Sequence, residues 1–369
     1  MKKLGFGLMR LPKKGVRTDI AQTKRMVDRF LAAGCTYFDT AFVYPGSEPA
    51  AKKALVDRYP RGAYTLATKL NAGIPGITEA MAKKQFETSL ERTGAGYFDY
   101  YLLHALMESN EGKYARFGIW DYVAGLRDKG LVKHMGFSFH GGPKLLDQLL
   151  YDHPEAEFVQ LQINYADWED PKVQSRANYE VARKHNKPIV VMEPVKGGKL
   201  ADPPKEVKAL LREAGPSASP ASWAIRFAAS LEGVMTVLSG MSNMAQMEDN
   251  LSYMEEFTPL TSDQRLVLRR ARELLGHSAV IPCTACGYCL AGCPKKIPIP
   301  EIFAAMNLRL GDGQTGQAVE AYDQAVRNGG AARGAGLASE CIACGQCENA
   351  CPQHINVIEK LKDCAAALE

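Results

Sequence analysis

A carboxylate, Asp39, and a phenol, Tyr44, share the stretch 34–48, GCTYFDTAFVYPGSE. Apolar and polar residues alternate through Tyr37 and Phe38, and Pro45-Gly46-Ser47 then reads as a turn into a helix. The pair therefore sits where a buried strand stops. Lys69 closes the run TLATKL and His104 lies at the end of DYYLLHAL, again at strand ends. Singly, each residue has an ordinary structural explanation: an ion pair for Asp39, a solvated edge for Lys69, a satisfied core imidazole for His104, loop packing for Tyr44. Brought to one rim, the four would make a proton-transfer site.

The second chemical feature is cysteine. Of ten cysteines, Cys35 and Cys364 stand alone and read as inert buried thiols. The other eight form two runs, Cys283-Thr-Ala-Cys286-Gly-Tyr-Cys289-Leu-Ala-Gly-Cys293-Pro294 and Cys341-Ile-Ala-Cys344-Gly-Gln-Cys347-Glu-Asn-Ala-Cys351-Pro352. A secreted disulfide framework would spread its cysteines along the chain, so thiolate ligation in a reducing cell is the better reading. Each run has the C-x2-C-x2-C-x3-C-P spacing of bacterial ferredoxins, which bind [4Fe–4S] clusters. Three close cysteines grip one cluster, and the fourth points to the other. The expected ligation is crossed: Cys283, Cys286, Cys289 and Cys351 on one cluster, Cys341, Cys344, Cys347 and Cys293 on the other. Zinc is the competing occupant, but four-cysteine zinc modules pair separated C-x2-C knuckles and do not repeat this whole run with both prolines.

These residues need a scaffold. The 369 residues suffice for one large and one small domain, and the cysteine runs place the break near residue 280. Short apolar runs predict strands at 4–11, 37–40, 64–68, 98–103, 132–137, 158–163, 188–192 and 234–238. Amphipathic stretches predict helices at 18–33, 47–57, 78–93, 119–129, 143–151, 175–184, 219–229 and 244–255, with caps at Thr78 and Ser219 and stops at Gly34 and Gly130. Such alternation predicts a (β/α)8 barrel over residues 1–276, with function on the loops after the strands. An open doubly wound sheet is the alternative, but no GxGxxG follows the first strand. A charged helix at 261–275 leads to a small helical iron–sulfur domain over 277–369, whose insert predicts helices at 300–310 and 317–327 and a Gly/Ala-rich link at 329–336. The formal charge of +4 is mild and dispersed, which gives no footing to a nucleic-acid role. No apolar run approaches the roughly 18 residues of a membrane helix, and MKKLGFGLMRLP is too short for a signal peptide, so the expected compartment is the cytoplasm. Two oxidised clusters at about −2 each would bring the loaded protein close to neutrality.

The four rim residues, with Tyr44-Pro-Gly-Ser-Glu48, resemble the Asp, Tyr, Lys, His tetrad of the aldo-keto reductase family. The likeness continues through GLVKHMGFS (130–138), FVQLQINY (158–165), SPASWAIRF (219–227) and MAQMEDNL (244–251). It implies a barrel enzyme that interconverts a carbonyl and an alcohol on a small molecule. A tyrosine with an ordinary pKa of about 10 is a poor acid at neutrality, and a nearby ammonium favours its phenolate. Lys69 would supply that charge and Asp39 would hold Lys69. Tyr44 would pass the proton, and His104 would donate a hydrogen bond to the reacting oxygen. The resemblance also places a nicotinamide dinucleotide on the rim: Ser138 and Gln160 at the carboxamide, Met192 at the ring, Lys196, Gly197 and Gly198 at the pyrophosphate, with Met241 and Asn250 as further contacts. Three positions depart from the family. Phe139 and His140 follow Ser138 where Asn is usual, Met192 replaces an aromatic, and the stretch 239–247, SGMSNMAQM, carries no cation for a 2′-phosphate. A dianionic phosphate without a cation loses its strongest partner, which argues against a strong NADPH preference and leaves NADH or a flavin open.

The whole chain resembles aldo-keto reductases that end in a ferredoxin-like, two-cluster domain. That combination implies an oxidoreductase linked to a ferredoxin or another one-electron carrier. Hydride moves two electrons and each cluster one, so either the two clusters accept a pair between them or a flavin mediates. A redox-sensing or electron-transfer subunit with a nucleotide-binding but inactive barrel is the alternative. The complete tetrad speaks against it. Loops 105–117 and 168–173, with Met9 and Arg10, are expected to shape the substrate pocket.

Overall fold

The computed structural model describes residues 2–276, 280–327 and 335–369. By contacts the chain forms two units, Met1–Val195 with Leu200–Ala271, and Lys196–Lys199 with Arg272–Glu369. In the first, eight strands close into a parallel barrel: β1 (Leu4–Gly7), β4 (Tyr37–Asp39), β5 (Thr65–Leu70), β6 (Phe98–Leu106), β7 (Val132–Phe139), β8 (Phe158–Gln162), β9 (Ile189–Met192) and β10 (Val234–Ser239). Around the barrel the order is β1, β10, β9, β8, β7, β6, β5, β4, back to β1. This is the expected (β/α)8 fold.

Helices alternate with the strands at Ile20–Ala32, Glu79–Thr93, Ile119–Asp128, Pro143–Asp152, Ser175–Lys184, Pro220–Ala229 and Met244–Met254. Thr78 and Ser219 cap their helices as expected, accepting from the N–H groups of Met81 and Ser222. Four details differ from the sequence reading. The chain leaves β1 at Gly7 through a tight turn, Leu8–Arg10, and makes a small antiparallel hairpin, β2 (Lys13–Lys14) and β3 (Arg17–Thr18), before the first helix. The segment after Tyr44 is helical only over Ser47–Ala51 and continues as a wider turn, Lys52–Val56. Helix Glu111–Arg116 lies in a stretch read as loop, and helix Lys205–Ala214 in one for which no element was read. Finally, β6 runs on past His104 to Leu106, so that His104 lies inside a strand.

Side chains two apart on a strand share a face, which layers the barrel interior. Tyr37, Ala67, Leu102, Phe158, Val190 and Leu238 form one buried apolar layer. Gly136 lies at the same level, and a Cβ there would come within 2.4 Å of the Phe158 carbonyl oxygen, so the close approach of β7 to β8 requires glycine.

The second unit packs the helices Ile299–Asp312, Thr315–Arg327 and Val357–Leu368 around Ile302, Phe303, Tyr322, Leu361 and Cys364. The two helices expected at 300–310 and 317–327 are present. The Gly/Ala-rich link, apart from 335–336, lies outside the described residues. Among the described residues no helix is long and apolar enough to cross a membrane.

Candidate functional site

Two residues further along each strand from the apolar layer come Asp39, Lys69, His104, Ser138, Gln160 and Met192, and beyond β10, Gly240. Alternation therefore raises this set together as one polar layer on an apolar floor. Asp39, Lys69, His104, Ser138 and Gln160 are all buried. Lys69 Nζ donates to Asp39 Oδ1 at 2.5 Å and to the Thr40 carbonyl at 2.8 Å. Burial pushes the Asp39 carboxyl up and the Lys69 ammonium down in pKa, and each is held back by the other's charge. The half-buried Tyr44 closes the group: Lys69 Nζ is 5.2 Å from its ring centre, and its ring meets the His104 imidazole edge-on at 5.7 Å. Burial, then the Lys69 ammonium, then His140, hold His104 well below the usual imidazole pKa, so it stands neutral at pH 7. The four residues taken singly from the sequence thus converge.

Several residues that position them were not singled out in the sequence. Tyr44 lies in a turn tied at both ends, its N–H donating to the Ala41 carbonyl and its carbonyl accepting from Ser47 N–H. Ser47 Oγ donates to the Leu8 carbonyl, and the buried Glu48 accepts from Thr68 Oγ1 at 2.9 Å and from Arg92. These contacts explain Ser47 and Glu48 of the YPGSE phrase: they anchor the Tyr44 loop to the barrel. Beyond His104, Ala105 adopts φ 55°, and the pairing of β6 with β7 is irregular between Leu103 and Leu106. The buried Tyr114 hydroxyl donates to the His104 carbonyl at 2.5 Å, Ser138 Oγ accepts from Ala105 N–H at 2.8 Å, and Asn110 Nδ2 donates to the Ala105 carbonyl. A one-dimensional pattern carries no signal for such tertiary hydrogen bonds.

The residues assigned to a dinucleotide divide into three sets. Ser138 and Gln160 lie side by side in the register of β7 and β8. Gln160 Nε2 contacts Met192 Sδ at 3.4 Å, while its Oε1 is buried without a hydrogen bond. An unsatisfied buried acceptor costs about 1–3 kcal/mol, so it fits an amide N–H from a ligand such as a carboxamide. Of the further contacts, Met241 is buried and Asn250 is engaged inside the fold, donating to Ser239 Oγ and accepting from the Tyr253 hydroxyl. The side-chain stem of Arg10 lies about 3.6 Å from where a Cβ on Gly240 would stand, and Ser242 Oγ donates to the Arg10 carbonyl. A cation from the first loop thus lies against the stretch 239–247 that has none of its own. Lys196, Gly197 and Gly198 belong to the second unit. There Lys196 Nζ reaches Gln353 Oε1 at 3.2 Å and Lys199 Nζ donates to the Ile281 carbonyl at 2.5 Å.

In the second unit the cysteines gather by cavity rather than by run. One cavity is lined by Cys283, Cys286, Cys289 and Cys351 among Phe303, Ile355 and Val357. Another is lined by Cys293, Cys341, Cys344 and Cys347 with Ile297, Ile299 and Leu361. The two runs repeat one backbone: Ala285 and Gly287 have φ 52° and 79°, Ala343 and Gly345 have 55° and 77°. A short helix follows each glycine, Tyr288–Ala291 and Gln346–Asn349. Ala285 N–H points at Cys283 Sγ and Ile297 N–H at Cys293 Sγ, the kind of donor that supports a ligand sulfur. Among the described residues no three such side chains are gathered closely enough for a single ion. Four thiols spaced around an apolar cavity, too far apart to meet at a single ion, fit a cubane cluster better than one zinc ion. None of the ten cysteines is joined in a disulfide. Cys35 and Cys364 are fully buried, and burial pushes their thiols up to about 11 and about 12. Both are inert packing residues.

Comparison with known proteins follows this division. The aldo/keto reductase family profile matches residues 3–271, and that of the 4Fe-4S dicluster domain matches residues 282–356. "Aldo-keto reductase str7" of Strobilurus tenacellus is 32% identical over 216 residues, 54% of this chain and 59% of that protein. An aldo-keto reductase of Mycobacterium avium is 27% identical over 253 residues, 68% of this chain and 80% of its own. Among solved structures, the holo form of aldo-keto reductase AKR11C1 from Bacillus halodurans aligns with a TM-score of 0.58 at 24% identity, covering 73% of this chain and 91% of that one. An aldo-keto reductase from Klebsiella pneumoniae in complex with NADPH aligns with a TM-score of 0.57 at 17% identity, covering 73% and 90%. At such identities the structural likeness is one of fold.

Proposed function

Because this chain belongs to the aldo/keto reductase family and carries a 4Fe-4S dicluster domain beyond its barrel, we propose that it is an oxidoreductase of a small-molecule carbonyl/alcohol couple, with Tyr44 as general acid/base and its eight clustered cysteines holding two [4Fe–4S] clusters. A nicotinamide held at Ser138 and Gln160 would supply or accept the hydride, and two clusters held by the eight cysteines, each a one-electron site, would between them take up or give the pair of electrons exchanged with a carrier such as a ferredoxin. The observation that carries the reading is the convergence of Asp39, Lys69 and His104 on one layer of the barrel, with Tyr44 closing over them from the adjoining turn.

In reduction, Tyr44 gives its proton to the carbonyl oxygen; in oxidation it takes one from the alcohol. Lys69, a few ångströms beneath the ring, stabilises the phenolate that forms, and Asp39 fixes the lysine. The neutral His104 donates a hydrogen bond to the same oxygen without adding a charge that would compete with Lys69. Support for the nicotinamide comes from the unsatisfied Gln160 Oε1 and its neighbour Ser138, and from the NADPH complex of the Klebsiella relative. Arg10 beside Gly240 offers a cation for the adenosine phosphates. Cysteines in ligand spacing, outside any disulfide, fit the reducing cytoplasm.

Tyr44→Phe tests the reading. Carbonyl reduction by the cluster-loaded protein is expected to fall about 10²–10⁴-fold, while nicotinamide binding by fluorescence and iron content stay as they were. Turnover within a few fold of the parent would favour a sensor or electron-transfer role. Flavin released on denaturation would replace the nicotinamide as hydride carrier.

A further inference from the structure

The loop Lys196–Lys199 follows β9 in sequence, yet its contacts assign it to the iron–sulfur unit. Within that unit it touches both arms of one cysteine set. Lys199 Nζ donates to the carbonyl of Ile281, two residues before Cys283, and Lys196 Nζ reaches the side chain of Gln353, two residues after Cys351. Between them Gly197, at φ 66°, presses so close to Thr284 that a Cβ would meet its atoms at 2.7–2.8 Å. Cys283 and Cys351 belong to opposite runs but line the same cavity. The loop therefore clasps the two ends of one ligand set and leaves two ammonium groups beside it.

The surroundings of the other cavity differ. The second run carries a carboxylate, Glu340, next to Cys341, where the first run has Pro282. Its lysines, Lys295 and Lys296 after Cys293, are exposed, whereas Lys196 and Lys199 are half-buried. A cation in a low-dielectric setting acts more strongly than one in water, and reduction of a thiolate-ligated cluster adds negative charge. From this we infer that Lys196 and Lys199 selectively raise the reduction potential of the cluster held by Cys283, Cys286, Cys289 and Cys351, so that the two clusters titrate as distinct one-electron sites. The inference rests on the two-cluster reading above. It gives the KGGK loop an electrostatic role at a cluster in place of the expected role at a pyrophosphate.

The test is a potentiometric titration of the anaerobic, cluster-loaded full chain followed by electron paramagnetic resonance, with iron and sulfide counted on the same samples. The parent is expected to show two steps. Lys199→Met with Lys196→Met should move one step negative by at least tenfold in the reduced-to-oxidised ratio, which is 59 mV for one electron, and leave the other in place. Lys199→Arg, which keeps the charge, should keep the parent values. The Ile281 carbonyl retains its bond from Asn307 Nδ2 when Lys199 is lost, so the fold has no reason to fail. Lys295→Met should move the other step, by less. Unmoved steps, equal shifts of both, or a shift of the same step by Lys199→Met and Lys295→Met would overturn the inference while leaving the two-cluster reading intact. Fewer than about eight irons per chain would overturn the two-cluster reading, and the inference with it.

Discussion

At the scale of single residues, the site works by burying charge where it is needed and withholding it where it is not. Breaking a buried ion pair by removing one partner costs about 3–5 kcal/mol, so Lys69 and Asp39 are committed to one another. His104 lies beside that ammonium and is kept uncharged by burial and by its neighbour. Its pKa in the folded chain lies below the roughly 6.5 of an unfolded imidazole. Between the two values the unfolded chain binds a proton that the folded chain refuses, so stability rises with pH through that window. The contribution is complete above about pH 6.5 and is lost as pH falls toward the folded value. Urea midpoints are therefore expected to fall between pH 7 and pH 5, and His104→Gln should flatten that fall. Parallel slopes for parent and variant would mean that His104 is protonated in the fold.

At the scale of elements, the irregular end of β6 is what aims His104. A non-glycine residue at φ 55° is strained by roughly 1–2 kcal/mol, and Ala105 is held there by Ser138 on the adjacent strand and by Asn110 after it. Ser138 thus has a structural partner whatever else it binds. Ser138→Ala leaves the buried Ala105 N–H without an acceptor. It should cost about 1–3 kcal/mol of stability and, by releasing the bulge, lower turnover roughly 10- to 100-fold without changing the iron content. An unchanged turnover would show that the bulge does not need Ser138. The Tyr44 loop is built in a similar way, through Ser47 and Glu48, so the placement of the phenol depends on side chains bonded inside the fold.

Taken as a whole, the molecule joins a barrel suited to proton and hydride chemistry to a module suited to single electrons. The module's cysteines are interleaved: the last cysteine of each run lines the cavity of the other. If the clusters follow the cavities, Cys293→Ala damages the cluster of Cys341, Cys344 and Cys347, and Cys351→Ala damages the cluster of Cys283, Cys286 and Cys289. Iron should fall from about eight to about four per chain in each variant. The paramagnetic signal lost with Cys293→Ala should match that lost with Cys347→Ala, not with Cys289→Ala. Loss of one signal by Cys289→Ala and Cys293→Ala alike would mean that each run serves its own cluster.

The sequence by itself determined the features that rest on periodicity and spacing. Alternation and helical period marked all eight barrel strands, and two apart along a strand is enough to carry Asp39, Lys69, His104 and Gln160 to one layer. Cysteine spacing alone pointed to the crossed sets that the two cavities display. Glu111–Arg116 was harder to read because it is short, rich in charge and buries only Tyr114. Only the tertiary structure decided the remainder. Arg10 lies against Gly240, Tyr114 holds His104, and the Lys196–Lys199 loop clasps Ile281 and Gln353. Each of these joins residues distant in the chain through a single close approach. No local pattern encodes such a meeting; it exists only once the barrel has closed and the second unit has packed.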